Sequence, residues 1–91
     1  MKYKAEITVL FEVTWPMGVD HMKSTSPIFF ENKVDAEKAA SLRLGDWDSA
    51  GRVDENYYIQ GKDTPPKAFK TVAEWAETKL TIKQAREYGL M

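Results

Sequence analysis

A segment near the start of the chain alternates apolar and polar side chains almost without interruption. The odd positions are all apolar: Tyr3, Ala5, Ile7, Val9, Phe11, Val13 and Trp15. The even positions between them are polar, with Leu10 as the exception. This period of two is typical of a β-strand with one face against a core and one face in water. We therefore expect one strand from Tyr3 to Trp15, with a buried face formed by Ile7, Val9, Phe11 and Val13.

Two shorter segments rich in aromatic residues are predicted to pair with this strand. One runs from Ile28 to Glu31 and follows Pro27, which is tolerated at the first position of an edge strand. The other runs from Glu55 to Gln60 and contains two adjacent tyrosines, which favour strands. The predicted fold is therefore α+β, with an antiparallel sheet of about three strands in the order ββαβ.

One helix is predicted between the last two strands. Asn32 is a typical N-cap, and Asp35 adds a negative charge in the first turn. Gly45 is typical of a helix end. The expected helix runs from Lys33 to Leu44 and packs on the sheet through its alanines.

A second helical region is predicted at the end of the chain. Thr71 and Glu74 form a capping box, which starts a helix at Val72. A second box at Thr81 and Gln84 follows, and the apolar pattern changes phase there. Two short helices are therefore favoured, with one kinked helix as the alternative.

Composition limits the possible classes of protein. The 91 residues are enough for a single domain. Thirteen Lys and Arg residues against fourteen Asp and Glu residues give a net charge of −1, which provides no overall attraction for nucleic acid or anionic membrane. The chain contains no cysteine, which excludes disulfides and thiolate chemistry. A signal peptide and a membrane-spanning segment are not expected, so we predict a cytoplasmic protein.

Metal binding and catalysis find little support in the sequence. The segment from Asp46 to Asp54 matches several positions of a calcium loop, but Ala50 and Tyr57 stand where oxygen ligands are needed. His21 is the only histidine, and a transition-metal site without further His or Cys is not expected. No phosphate-binding loop, dinucleotide fingerprint or nucleophile elbow is present. The sequence predicts neither a cofactor nor a small-molecule substrate, and it favours a non-catalytic protein.

Two surfaces remain as candidates for binding a macromolecule. The favoured surface combines acidic residues with an aromatic anchor, which suits a basic protein partner: Asp46, Trp47, Asp48, Asp54 and Glu55. The alternative is nucleic-acid binding through Lys79, Lys83 and Arg86, which form a basic stripe if the last segment is one continuous helix. The sequence does not indicate the oligomeric state.

The order of elements from Tyr3 to Gln60 resembles that of small phage-encoded accessory proteins. The resemblance includes the strand–helix junction Phe30-x-Asn32-x-x-Asp35-Ala36. Some proteins of this kind inhibit host polymerases, nucleases or CRISPR complexes. The resemblance thus implies a phage protein that acts as an inhibitor of host or defence machinery, such as an anti-CRISPR or a polymerase inhibitor.

Overall fold

The computed structural model describes residues 6–17, 23–42, 50–87 and 89. Its elements in chain order are β1 (Ile7–Thr14), β2 (Pro16–Met17), β3 (Lys23–Ser24), β4 (Ile28–Phe30), α1 (Lys33–Ala40), β5 (Arg52–Ile59), α2 (Val72–Lys79) and α3 (Ile82–Glu87). A three-stranded antiparallel sheet has the order β4-β1-β5, and β2 and β3 form a small two-stranded ribbon. The predicted α+β class and three-stranded antiparallel sheet are confirmed.

The register of the sheet assigns each side chain to one of two faces, because directly opposite residues on antiparallel strands point to the same side. Phe11 lies opposite both Phe30 and Glu55. The helix face of the sheet therefore carries Ile7, Val9, Phe11, Val13, Ile28, Phe30, Val53, Glu55, Tyr57 and Ile59. The open face carries Thr8, Leu10, Glu12, Thr14, Phe29, Arg52, Asp54, Asn56 and Tyr58.

The core lies between the helix face and the helices. Val13 and Phe30 are completely buried there, together with Ala36 and Ala39 of α1. The small alanine side chains allow the helix backbone to approach the sheet closely. The side chains of Trp15 and Trp75 also belong to the core, and their rings stack with centroids 6.0 Å apart. This aromatic pair joins the end of β1 to α2.

The predicted buried face of the first strand is correct at only one of its four positions. Val13 is fully buried, Val9 and Phe11 are half-buried, and Ile7 is 60% exposed. The reason is length: α1 has eight residues and rises about 12 Å, whereas the eight-residue β1 extends about 27 Å. Leu10 is also buried, although it lies on the open face.

The third strand begins three residues earlier than predicted. β5 starts at Arg52, which lies opposite Thr14, and continues to Ile59, which lies opposite Ile7. The whole of β1 therefore provides a pairing partner, and this pairing extends the strand through Asp54, which the sequence pattern placed in a loop. Of the predicted first strand, Tyr3 to Ala5 lie outside the described residues.

The first helix ends at Ala40, whereas Leu44 was the predicted end. Ser41 is its C-cap, and the Ala40 carbonyl accepts a hydrogen bond from the Gly51 amide at 2.6 Å. The Gly51 amide thus bonds to a carbonyl group that, in a longer helix, would accept a hydrogen bond from the next turn of α1. The proposed glycine stop at Gly45 lies outside the described residues.

The predicted helix caps are confirmed, with one difference in the partner. The Asn32 side chain accepts from the Asp35 amide at 2.9 Å. The Asp35 carboxylate, however, accepts from the Val72 amide at 2.8 Å and so caps α2. The Asn32 side chain also donates to the Lys70 carbonyl. These two hydrogen bonds connect the N-terminal ends of α1 and α2.

The last segment forms two helices, as predicted. Thr81 and Gln84 make both bonds of a capping box, each about 3.1 Å long, between side chain and backbone amide. α2 ends at Lys79, and the Leu80 backbone is extended. None of the helices in the described part of the chain is long and apolar enough to cross a membrane.

Candidate functional site

The favoured acidic surface is only partly described by the structure. Asp46, Trp47 and Asp48 lie outside the described residues. The two ends of the segment that holds them are firmly attached to the core. The indole Nε1–H of Trp15 donates to the Leu42 carbonyl at 2.7 Å, and Gly51 is bonded to Ala40.

Asp54 and Glu55, the other two predicted site residues, lie on opposite faces of β5. Asp54 is on the open face, where its carboxylate lies 3.1 Å from Nε of the exposed Arg52. Glu55 is on the helix face, where it accepts a hydrogen bond from the Tyr57 hydroxyl at 2.6 Å. Because adjacent strand residues point in opposite directions, one flat contact cannot use both side chains equally.

The hydrogen bond to Glu55 affects the titration of Tyr57. The bond and the nearby negative charge both raise the pKa of Tyr57 above its ordinary value, with a smaller effect of desolvation. Both effects favour the neutral phenol, which keeps its proton to donate. The pair therefore presents an exposed aromatic ring whose hydroxyl is hydrogen-bonded to the Glu55 side chain.

The largest departure from the predicted core is an apolar area that the helices leave uncovered. We call it the uncovered patch, and it consists of Ile7, Val9, Tyr57 and Ile59. These residues form two directly opposite pairs on β1 and β5. Ile7 is 60% exposed, Tyr57 61% and Ile59 37%, while Val9 is half-buried.

Sequence reasoning missed this patch because alternation shows only which residues share a face. It does not show how much of that face another element covers. The signal that could have found it is the predicted length of the elements. A helix rises about 1.5 Å per residue and a strand about 3.3 Å. A helix therefore covers less than half the length of a strand that has the same number of residues.

The patch lies at the end of β5 away from Gly51, near which the segment containing Asp46, Trp47 and Asp48 joins the described chain. The acidic segment attaches near Gly51, whereas the patch includes Ile59 at the other end of the strand. Seven residue steps separate Arg52 from Ile59, which is about 24 Å at strand spacing. Glu55 lies between the two and borders the patch.

The basic residues of the alternative surface do not form a stripe along one helix. Lys79 is the last residue of α2, while Lys83 and Arg86 belong to α3. All three are exposed. The stripe required one continuous helix, and the extended backbone at Leu80 interrupts it.

Two concavities lie outside the sheet faces. One, of about 410 Å³, lies beside the start of α2 and includes Asp35, whose carboxylate already bonds the Val72 amide. The other, of about 470 Å³, is an apolar groove beside β4 with two lysines among its lining residues: Thr25, Ser26, Pro27, Ile28, Phe29, Lys67, Phe69 and Lys79. The first concavity also includes Ser41 and Lys38, but the Ser41 hydroxyl donates to the backbone carbonyl of Lys38 and not to a side-chain base. No feature of the described residues points to catalysis.

The described residues contain no group of three or more His, Cys, Asp or Glu side chains that could hold a metal ion. His21 and the first four residues of the calcium-like segment, 46–49, lie outside them. No protein-family model, curated protein or solved structure matches this chain.

Proposed function

We propose that this chain is a non-catalytic protein-binding domain of the cytoplasm, and that the uncovered patch is its contact surface. The observation that carries the proposal is the exposure of Ile7, Tyr57 and Ile59 in one continuous area. Exposed apolar residues that adjoin one another, unlike single ones scattered over a surface, often mark sites of interaction. Tyrosine is also among the residues that contribute most binding energy in interfaces.

The charge around the patch indicates the kind of partner. Glu55 borders the patch, and its carboxylate accepts a hydrogen bond from the Tyr57 hydroxyl. Asp54 and Glu12 lie on the other face of the same strands, where Arg52 lies beside Asp54 and Asn56 donates to Glu12, so Glu55 is the carboxylate that a partner on the patch would meet. A partner with a basic rim around an apolar contact would complement this arrangement and would associate faster at low salt.

A basic surface of this kind is typical of proteins that handle nucleic acid. The proposal is therefore an inhibitor of a host or defence nucleic-acid-handling protein, as in the phage accessory proteins that the element order resembles. Asp46, Trp47 and Asp48 are proposed as a second contact on the same partner. A standard interface of about 800 Å² per partner is about 30 Å across, which is wide enough to include both ends of β5.

The experiment compares three forms of the protein in affinity capture from bacterial lysate with quantitative mass spectrometry. The patch variant carries Ile7→Thr and Ile59→Thr, which keep β-branched side chains in the strands. The control variant carries Val34→Ala and Ile82→Ala, which remove exposed apolar side chains (66% and 64% exposed) from the helices instead. We expect the wild type and the control to retain the same basic protein and the patch variant to lose it.

Equal capture by all three forms would contradict the proposal. A gel-shift titration with mixed-sequence DNA and RNA at two salt concentrations tests the alternative. Salt-sensitive binding that disappears when Lys79, Lys83 and Arg86 become glutamate would favour nucleic-acid binding over a protein partner.

A further inference from the structure

The outer edge of β5 is available for pairing along part of its length. The Gln60 amide donates to the Glu6 carbonyl, which sets the hydrogen-bonding phase between β5 and β1. From that phase, the even-numbered residues of β5 turn their backbone groups toward β1, and the odd-numbered residues turn theirs outward. In the part of the chain that the structure describes, no strand pairs with this outer edge.

The turn after β5 closes one end of this edge. The Ile59 amide donates to the Asp63 carboxylate at 2.8 Å, and the Ile59 carbonyl accepts from the amides of Lys62 and Asp63. The outward groups that remain belong to Val53, Glu55 and Tyr57. A row of such groups on an exposed edge is a template for another strand.

The sequence of β5 is compatible with a second copy of itself in one register. When two copies pair antiparallel with their helix faces on the same side, odd-numbered residues lie opposite odd-numbered residues. A register centred on Glu55 would place two carboxylates directly opposite each other, which is unfavourable. A register centred on Asn56 instead places Glu55 opposite the second copy's Tyr57. It also places Val53 opposite the second copy's Ile59, whose backbone groups are already bonded within the turn, so this outer pair exchanges no backbone hydrogen bonds.

The Asn56-centred register reuses a contact that already exists within one chain. The Tyr57 hydroxyl donates to the Glu55 carboxylate of its own strand at 2.6 Å. In the paired register the same donor and acceptor lie across the seam, so each hydroxyl can donate to the other copy. Neither side chain has to be desolvated without a partner.

We propose that two copies of this chain associate through the outer edges of β5, antiparallel and centred on Asn56. The product is a continuous sheet in the order β4-β1-β5-β5-β1-β4. Glu55 and the second copy's Tyr57 form hydrogen-bonded pairs, each of which exchanges two backbone hydrogen bonds. Because the association uses the backbone edge of β5, Ile7 and Val9 on β1 remain accessible in both copies, whereas Tyr57 and Ile59 lie beside the seam. This inference does not depend on the proposed function.

Hydrogen exchange on the wild-type protein tests the pairing directly. The Glu55 and Tyr57 amides point away from β1, so they exchange rapidly in a monomer and become protected in the dimer. We expect their exchange to slow by about tenfold or more as the protein concentration rises from micromolar to millimolar. The Asn56 amide, which points toward β1, should be protected at every concentration. Glu55 and Tyr57 exchange rates that do not change with concentration would overturn the proposal.

Sedimentation of variants tests the register. Glu55→Pro removes an outward amide without removing a bond to β1, so we expect a folded monomer of 10.4 kDa at concentrations where the wild type sediments at twice that mass. Tyr57→Phe and Glu55→Gln should each weaken association several-fold, whereas Glu77→Gln on the exposed surface of α2 should not. If Glu55→Pro does not fold by circular dichroism, Tyr57→Phe and the exchange data still decide.

The opposite effect of Glu55→Gln would also be decisive. In the register centred on Glu55, this substitution relieves repulsion and strengthens association. Stronger association of Glu55→Gln, or a wild type that remains monomeric at millimolar concentration, would therefore refute the Asn56-centred dimer. Loss of dimerisation with retained protein capture would leave the proposed function intact, so the two claims fail separately.

Discussion

Gly51→Ala should destabilise the protein more than any other glycine substitution in the described residues. A Cβ at this position would lie 2.9 Å from Trp15 Nε1, 3.0 Å from Trp15 Cε2 and 3.1 Å from the Thr14 carbonyl oxygen. Trp15 cannot move away freely, because it is 3% exposed and its Nε1–H is bonded to the Leu42 carbonyl. Gly51 cannot move away either without stretching its bond to Ala40.

The magnitude follows from these contacts. Overpacking a well-filled core costs about 1–3 kcal/mol, and loss of the Trp15 hydrogen bond would add about 1 kcal/mol or more. The smaller entropy of alanine in the unfolded chain offsets about 0.4–1 kcal/mol. A net loss of about 2 kcal/mol corresponds to a fall in Tm of about 8–16 °C for a domain of this size.

The assay is thermal and urea denaturation followed by circular dichroism. Gly61→Ala is the matched control, since its Cβ would meet no atom within 4 Å and its cost arises from the backbone angle φ of +84° alone. In a Trp15→Phe background the indole atoms nearest to Gly51 are absent, so Gly51→Ala should cost about 1 kcal/mol less than in the wild type. A Gly51→Ala protein that melts within 2 °C of the wild type (roughly the shift expected for ~0.3 kcal/mol) would refute this reasoning.

Three further predictions test the caps, the titration of Tyr57 and the metal hypothesis. Asp35→Ala removes the acceptor of the Val72 amide and should lower the free energy of unfolding by about 1 kcal/mol, measured by urea denaturation. A pH series followed by NMR should show a pKa of Tyr57 above that of an ordinary tyrosine, and Glu55→Gln should lower this pKa. Any stability that the Tyr57–Glu55 hydrogen bond contributes is present below the ordinary tyrosine pKa and is lost as the pH rises through the raised pKa. Calcium or zinc at sub-millimolar concentration should leave Tm unchanged, whereas a rise of several degrees (roughly 1 kcal/mol of binding) would restore the segment around Asp46 as a metal site.

The features that the sequence predicted well are those decided by neighbouring residues. Asn32, Thr71 and Thr81 cap their helices because a side-chain oxygen reaches an amide only three residues away. The existence of three strands also follows from local patterns of apolar and aromatic residues. The caps and these local patterns need no information about distant parts of the chain, whereas the register of the strands does.

The features that failed depend on contacts between distant segments. Ile7 follows the same alternation as Val13, yet one is exposed and the other is buried, because α1 covers only one end of β1. The end of α1 at Ala40 is likewise set by Gly51, eleven positions later in the chain. The partner of Asp35 is Val72, which a capping pattern around Asn32 cannot reveal. Asp54 and Glu55 lie on two different faces for the same reason, since β5 extends further than its own composition indicates.

Photo-crosslinking from within the uncovered patch tests the central claim most directly. Benzoylphenylalanine replaces Tyr57, which is 61% exposed in the patch, or Val34, which is 66% exposed on α1. We expect a crosslinked product with a foreign basic protein from the Tyr57 position and none from the Val34 position. A product of twice the chain mass would report pairing of two copies and is counted separately. Equal crosslinking from both positions, or a foreign product from Val34 alone, would contradict the assignment of the patch as the binding surface.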